Sequence, residues 1–226
     1  MPVARIISIQ IAQPARVPRP EGELYTACGK TSVNGRVWVS PEGVQGDRQA
    51  DRKNHGGPER AVLAYAAAHY PIWQAELDGQ GGNSSLAWGA FGENFTVEGM
   101  EEASVAIGDQ YECGALRLEV SYPREPCSKL GRFLQVHGLD HRIRASLRSG
   151  WFFRVLSAGW AETGQELVLQ ARSFPQWTIA RVSAIMYHGW HDPAQRAAIG
   201  ELAGIEAFSW NWRKRFVQRA QEFRDS

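Results

Sequence analysis

The chain has 226 residues, enough for one full core and a small appended unit. Lys and Arg number 25 against 24 Asp and Glu, so no global field selects nucleic acid or an anionic membrane as a partner. About two-fifths of the residues are apolar, with no run near membrane-spanning length, and nine Trp with nine Phe point to a well-packed core or an aromatic-lined cavity.

The opening residues, Met1 to Arg5, show no charged segment followed by an apolar one, so no secretory signal is expected. Three cysteines, an odd number without a Cys-x-x-Cys pair, suggest neither a disulfide framework nor a zinc site. A reducing cytoplasm is the expected location.

Residues 5–11 carry Ile6, Ile7, Ile9 and Ile11 and read as a strand. Residues 14–22, Pro-rich and basic, read as a loop or arm. Short strands separated by Gly-containing turns follow at 37–39, 95–97 and 104–107, with a turn at Gly108-Asp109. Residues 115–122 alternate as a half-buried strand should, with Leu116, Leu118, Val120 and Tyr122 on one face. Two helical regions interrupt these strands. Residues 61–77 are strongly apolar and open after Pro58-Glu59, with Pro71 expected to kink or split the helix. Residues 129–136 and 141–148 form the second, interrupted region, and 152–157 and 166–171 return to strand.

After Phe174 the pattern turns helical: 178–187, then a helix opened by Asp192-Pro193 and running to Leu202, then 209–223 with Trp212, Phe216 and Ala220 on one stripe. The expected organisation is a mainly β domain over residues 1–172, with its core at about 24–171, and a three-helix unit over 173–226.

The strand ending at Tyr122 delivers Pro123-Arg124-Glu125-Pro126-Cys127-Ser128-Lys129. Two prolines stiffen the loop, and Arg124, Lys129, Arg132 and a helix start all favour thiolate at Cys127, the form that ligates metal or attacks electrophiles. A buried structural thiol is the alternative. Cys28 and Cys113 lack such surroundings and read as structural. Lys53 to Arg60 forms a second constellation: Gly56-Gly57 admit close approach of a ligand to the backbone, while His55, Arg60 and a helix from Pro58 would complete an anion cradle. Its bland reading is a solvated Gly-Gly turn. Asn94, in Phe91-Gly92-Glu93-Asn94-Phe95, and Lys30, in Lys30-Thr31-Ser32, offer a further donor and cation. Phosphate-loop, dinucleotide, zinc-peptidase and serine-hydrolase signatures are all missing from the sequence.

In order along the chain, Gly29-Lys30 with Val33, Gly46-Asp47, His55 through Ala61, His69-Tyr70, Phe91 through Asn94, Gly108-Asp109, Pro123-Arg124 through Leu130, and Gly150-Trp151 resemble the MOSC-domain family, named for the C-terminal domain of molybdenum-cofactor sulfurase, and within it the YiiM-type branch. The three terminal helices resemble that branch's added three-α domain. The resemblance implies a closed β barrel with flanking helices and a basic pocket for the molybdenum cofactor. It implies Cys127 as metal ligand and catalytic centre with His55, and Lys30, His55, Gly56, Gly57, Arg60, Asn94, Arg124 and Lys129 as cofactor-binding residues. Glu125 and Ser128 depart from the family pattern, which has a small polar residue and commonly an aromatic there.

The chemistry implied is reduction of N-hydroxylated compounds, including base analogues such as hydroxylaminopurine, as a detoxifying step. With no flavin or iron–sulfur motif visible, electrons would come from a separate reductase. Pyridoxal phosphate is not expected, for want of a site for its aldimine lysine. A carrier that holds sulfur or cofactor on Cys127 without turnover is the competing reading. Arg213, Lys214, Arg215 and Arg219 could serve nucleic acid or a protein partner, but a solvated face is the expectation. The oligomeric state is left open, a homodimer included.

Overall fold

The computed structural model describes residues 3–78 and 85–225, apart from the side chain of Asn54; Met1 and Pro2 of the leader reading lie outside the described residues. In chain order the strands are β1 Arg5–Ile11, β2 Ala15–Val17, β3 Leu24–Thr26, β4 Thr31–Ser32, β5 Val37–Ser40, β6 Gly43–Val44, β7 Val62–Ala66, β8 Phe95–Glu98, β9 Gln110–Cys113, β10 Leu116–Pro123, β11 Trp151–Ser157, β12 Gly159–Ala161 and β13 Val168–Ala171. The helices are α1 Arg52–His55, α2 His69–Leu77, α3 Ser128–Leu134, α4 Leu139–Ser146, α5 Ile179–Tyr187, α6 Arg196–Gly204 and α7 Trp210–Asp225.

Eight strands form a curled sheet in the order β13-β9-β10-β11-β7-β8-β1-β4, antiparallel except for the β7–β8 pair. The closed barrel implied by the resemblance is therefore corrected to an open half-barrel in a mixed α/β fold. Its ends are β13, whose register with β9 shifts after Leu169, and the two-residue β4. Across the gap there is one isolated bridge, Arg5 to Glu166, flanked by bonds from Ile6 N to Gln165 O and Leu167 N to Ala4 O, each 2.9 Å. The bridge joins the first residue of β1 to a residue ahead of β13, and it is not extended into a ladder.

Residues 61–77 are not one helix. Their first part is β7, buried at all five positions in the middle of the sheet, and only the second part is helical, as α2. Pro71 sits in the first turn of α2, where the missing N–H costs nothing. The strand expected at 104–107 reduces to a bridge between Ala106 and Thr178, with the Asp109 carboxylate accepting from Ala106 N at 2.9 Å. The arm at 14–22 contains β2, paired with β3.

The alternation in β10 puts Leu116, Leu118, Val120 and Tyr122 into the core. The same continuous core takes in Ile179 and Val182 of α5, and Trp212, Phe216 and Phe223 of α7, so the terminal helices cap the sheet. Thr178 caps α5 by accepting from Arg181 N at 3.2 Å. Asp192 begins a 3-10 turn, residues 193–195, before α6. A smaller aromatic core of Tyr65, Tyr70, Trp73 and Phe91 joins Leu130, Leu134 and Leu139 of α3 and α4. It seats the helix that follows Cys127. Among the described residues no helix is long and apolar enough to cross a membrane.

Candidate functional site

The loops after β3, β6 and β10 and the segments leading into β7 and β8 converge on a cavity of about 520 Å³. Cys127, Lys30, His55, Arg60, Asn94, Arg124 and Lys129, far apart in sequence, all line it. Its lining holds six Lys or Arg and three Asp or Glu, so the basic character is local in a chain that is nearly neutral overall.

Backbone bonds place the cysteine loop. Arg124 N donates to Gly150 O at 3.0 Å, tying the end of β10 to the start of β11. Gly150 has φ +75, and a Cβ there would lie 2.4 Å from Ala64 O, so only glycine lets β11 approach β7 at this point. Cys127 has extended backbone (φ −119) and begins α3, its carbonyl accepting from Leu130 N at 3.3 Å. Arg144, from α4, donates through Nη2 to Pro126 O at 3.0 Å and holds the loop from the other side. Arg124 is 8% exposed, and its Nη1 is buried without a partner; Arg144 Nε is likewise unpartnered. A buried guanidinium N–H without an acceptor costs free energy.

Lys30 and Asn94 are engaged differently. Lys30 Nζ pairs with Asp47 Oδ1, the side chains being 7% and 4% exposed. Asp47 also accepts from Ala12 N at 2.7 Å and from Asn94 Nδ2 at 2.9 Å. Asn94 in turn accepts from Leu63 N at 3.2 Å and donates to Gln10 O at 3.2 Å. Burial pushes the Lys30 pKa down, against the opposing pull of Asp47. This network shapes the cavity wall and joins β1, β7 and β8 to the loop after β6.

Arg60 donates through Nε to the Tyr122 hydroxyl and lies over the rings of Tyr122 and Phe152, 5.5 and 5.9 Å from their centroids. The phenol of Tyr122 is driven upward by burial and stays protonated. His55 closes α1, and burial, then the Arg60 charge, hold its imidazole below the ordinary value of 6.5, with Asp51 opposing. The unfolded chain therefore takes up this proton first as pH falls. The stability that neutral His55 contributes is complete above 6.5 and is lost as pH drops through the folded value. Arg60→Gln should raise the His55 midpoint, followed by imidazole NMR, while leaving it below 6.5 because burial is the larger cause. An unmoved midpoint would refute that assignment.

Gly56 and Gly57 do not line the cavity. Gly57 (φ +107) precedes a three-residue 3-10 turn, Pro58–Arg60, and not a helix, so no helix dipole reaches an anion there; the segment's contribution is to aim His55 and Arg60. Glu125 lines the rim, half-exposed, and faces Arg215 of α7 at 3.9 Å. Three of the terminal cations are likewise engaged: Arg213 stacks on Trp210, Arg215 on Trp212, and Arg219 bonds Trp190 O at 3.0 Å. Sequence reasoning missed Tyr122, Phe152, Arg144 and Arg48 as lining residues and set Cys28 aside as structural. Tyr122 and Phe152 read as core positions of strands. Arg144 had no motif to mark it.

Fold and site together define an open curled-sheet α/β protein whose basic cavity carries a thiol. A MOSC domain model matches residues 51–168, and a YiiM-like, 3-alpha helix domain model matches residues 177–222. Protein YiiM of Escherichia coli (strain K12) is 30% identical over 88% of this chain and 86% of its own length. A protein named reductase from Gibberella moniliformis (strain M3125 / FGSC 7600) is 40% identical over 73% of this chain, a match spanning 29% of that longer protein. The crystal structure of YiiM from Geobacillus stearothermophilus superposes with a TM-score of 0.78 at 32% identity, covering 96% of this chain and 99% of the other. The chain belongs to the MOSC domain family and carries the YiiM-like three-α unit.

Proposed function

We propose that this chain is a molybdenum-cofactor oxidoreductase that reduces N-hydroxylated compounds in the cytoplasm, supplied with electrons by a separate protein. The observation that carries the reading is that Cys127 lines one basic cavity together with Arg60, Arg124, Lys129 and Arg144. A soft thiolate suits molybdenum, and a fixed guanidinium suits the phosphate of a pterin cofactor. The relative named reductase supports the oxidoreductase class.

The donor set fits the group. Cys127 would hold the metal, and Arg124, with Lys129, Arg144 and Arg60 on the same cavity, would hold the anionic end. Lys30 and Asn94, bound to Asp47, act through shape and field. Neutral His55 can accept a hydrogen bond from a substrate hydroxyl or move a proton at the amine nitrogen. Tyr122 and Phe152 back the cavity behind the Arg60 guanidinium, which lies over both rings and is fixed by them. When bound, the cofactor would supply two-electron removal of oxygen from the N–OH group.

The test uses protein made in a host that synthesises the cofactor, given hydroxylaminopurine and an enzymatic or chemical donor, with the amine product measured by chromatography. Amine formation that scales with molybdenum content is expected. Bound molybdenum without amine from any donor would replace this reading with that of a carrier.

A further inference from the structure

We propose that Arg154 is a positioning residue for the cavity: with Glu59 it holds the turn that presents Arg60, and it braces that turn on the three-α unit. β10 and β11 lie side by side here, with Glu119 opposite Arg154 and Tyr122 opposite Phe152. The Arg154 guanidinium meets acceptors from separate parts of the chain. Nη2 donates to Glu59 Oε2 at 2.5 Å and to Ala207 O, between α6 and α7, at 2.9 Å. Nη1 donates to Glu119 Oε1 at 2.7 Å. The side chains of Arg154, Glu59 and Glu119 are 17%, 29% and 12% exposed, so these bonds lie mostly out of water. A planar guanidinium can hold such a set in one fixed geometry, which an ammonium cannot.

Glu59 precedes Arg60 in the 3-10 turn Pro58–Arg60. Its carbonyl is held as well: Ser121 Oγ donates to Glu59 O at 2.7 Å. Ser121 O in turn accepts from Ser209 N, just ahead of α7, at 3.0 Å. Side chain and carbonyl of Glu59 are thus both fixed by residues that also grip the segment leading into α7. The adjacent pair is joined too, since Arg60 Nε donates to the hydroxyl of Tyr122. Neither Arg154 nor Glu59 lines the cavity, whereas Arg60 does. Their effect on it therefore passes through the placement of Arg60.

Releasing the Glu59 side chain leaves the turn its carbonyl bond and the Arg60 bond to Tyr122, and frees Arg60 to move relative to His55. The imidazole of His55 reports such a movement. The charges that bear on it are Arg60, which holds it down, together with Asp51, Lys129 and Arg124. That Arg60 then serves an anionic cofactor rests on the proposed function; its placement by Arg154 and Glu59 does not.

Full-length protein without cofactor is titrated by imidazole NMR as wild type, Glu59→Ala and Arg154→Lys, each first shown to be folded by near-UV circular dichroism. Glu59→Ala removes a negative charge, which acting through space would lower the His55 midpoint. Arg154→Lys keeps its charge but loses the fork that reaches Glu59, Glu119 and Ala207 together. Both should nevertheless raise the midpoint, changing the ionisation constant by at least about twofold. In the Arg60→Gln background the same substitutions should raise it no further. A midpoint that stays or falls in either variant, or rises as far without Arg60 as with it, would overturn the inference. These titrations need no molybdenum, so failure of the cofactor reading leaves them unchanged. An unmoved midpoint in a chain that does bind molybdenum would overturn the positioning role alone.

Discussion

Cys127→Ala, produced beside wild type in a host that makes the cofactor, should carry at least about tenfold less molybdenum while folding normally. The two halves of this expectation have different physical sources. Loss of metal follows because Cys127 lines the cavity from the stiffened loop, and alanine offers no donor. Retention of the fold follows because the Cys127 side chain is half-buried and makes no capping bond to α3. Such a substitution typically changes stability by less than about 0.5 kcal/mol. Cys127→Ser sharpens the test: a hydroxyl is a harder, poorer ligand for the metal but a better helix N-cap, worth about 1 kcal/mol over alanine. Serine should therefore match or exceed wild-type stability in urea while losing most of the metal. Equal molybdenum in wild type and Cys127→Ala would remove Cys127 from the coordination sphere. Metal loss accompanied by a comparable loss of stability would reassign the cysteine to structure.

Part of this architecture was legible in the residues, and the parts that were not share a cause. Alternation marked β10, whose first half buries one face, and helical spacing marked α5 and α7, because there the period shows. Residues 61–77 gave no such sign. β7 is buried on both faces between β8 and β11, so its run of Val62, Leu63, Ala64 and Tyr65 carries no period-2 signature and merges with the apolar start of α2. The Ala67-Ala68 break contains neither Gly nor Pro to announce it. In the site, the cysteine loop stood out because its two prolines and its charges are local. Cys28, Arg144 and Tyr122 did not, since each reaches the cavity through tertiary packing: one on α3, one from α4, one from the inward face of β10. Gly56 and Gly57 stay outside the cavity for a related reason: they serve the chain's own turn, and the segment reaches the cavity through His55 and Arg60.

The largest stability effect should come from Asp47→Ala. Its carboxylate accepts from the Lys30 ammonium, the N–H of Ala12 and one N–H of Asn94. Removing it leaves a buried cation without its counter-charge, a change that typically costs about 3–5 kcal/mol. Asp47→Asn should recover only part of this: it can still accept from Ala12, but it supplies no charge, and its amide must compete with the donor of Asn94. Lys30→Met with Asp47→Leu should be milder than Asp47→Ala alone, since neither partner of the pair is then left buried without the other. The pH dependence separates this account from simple loss of packing. The folded-state pKa of Lys30 is already below its ordinary 10.5 because of burial, and without Asp47 it must fall further. Below 10.5 the unfolded chain binds the proton that the folded variant resists, so the variant gains stability relative to wild type as pH rises toward that value. Urea unfolding at pH 7 and near pH 10, each against wild type at the same pH, should therefore show a deficit that shrinks at the higher pH. A deficit of the same size at both would mean that Asp47 acts through its hydrogen bonds to Ala12 and Asn94 and that the Lys30 charge contributes nothing to the wall of the cavity.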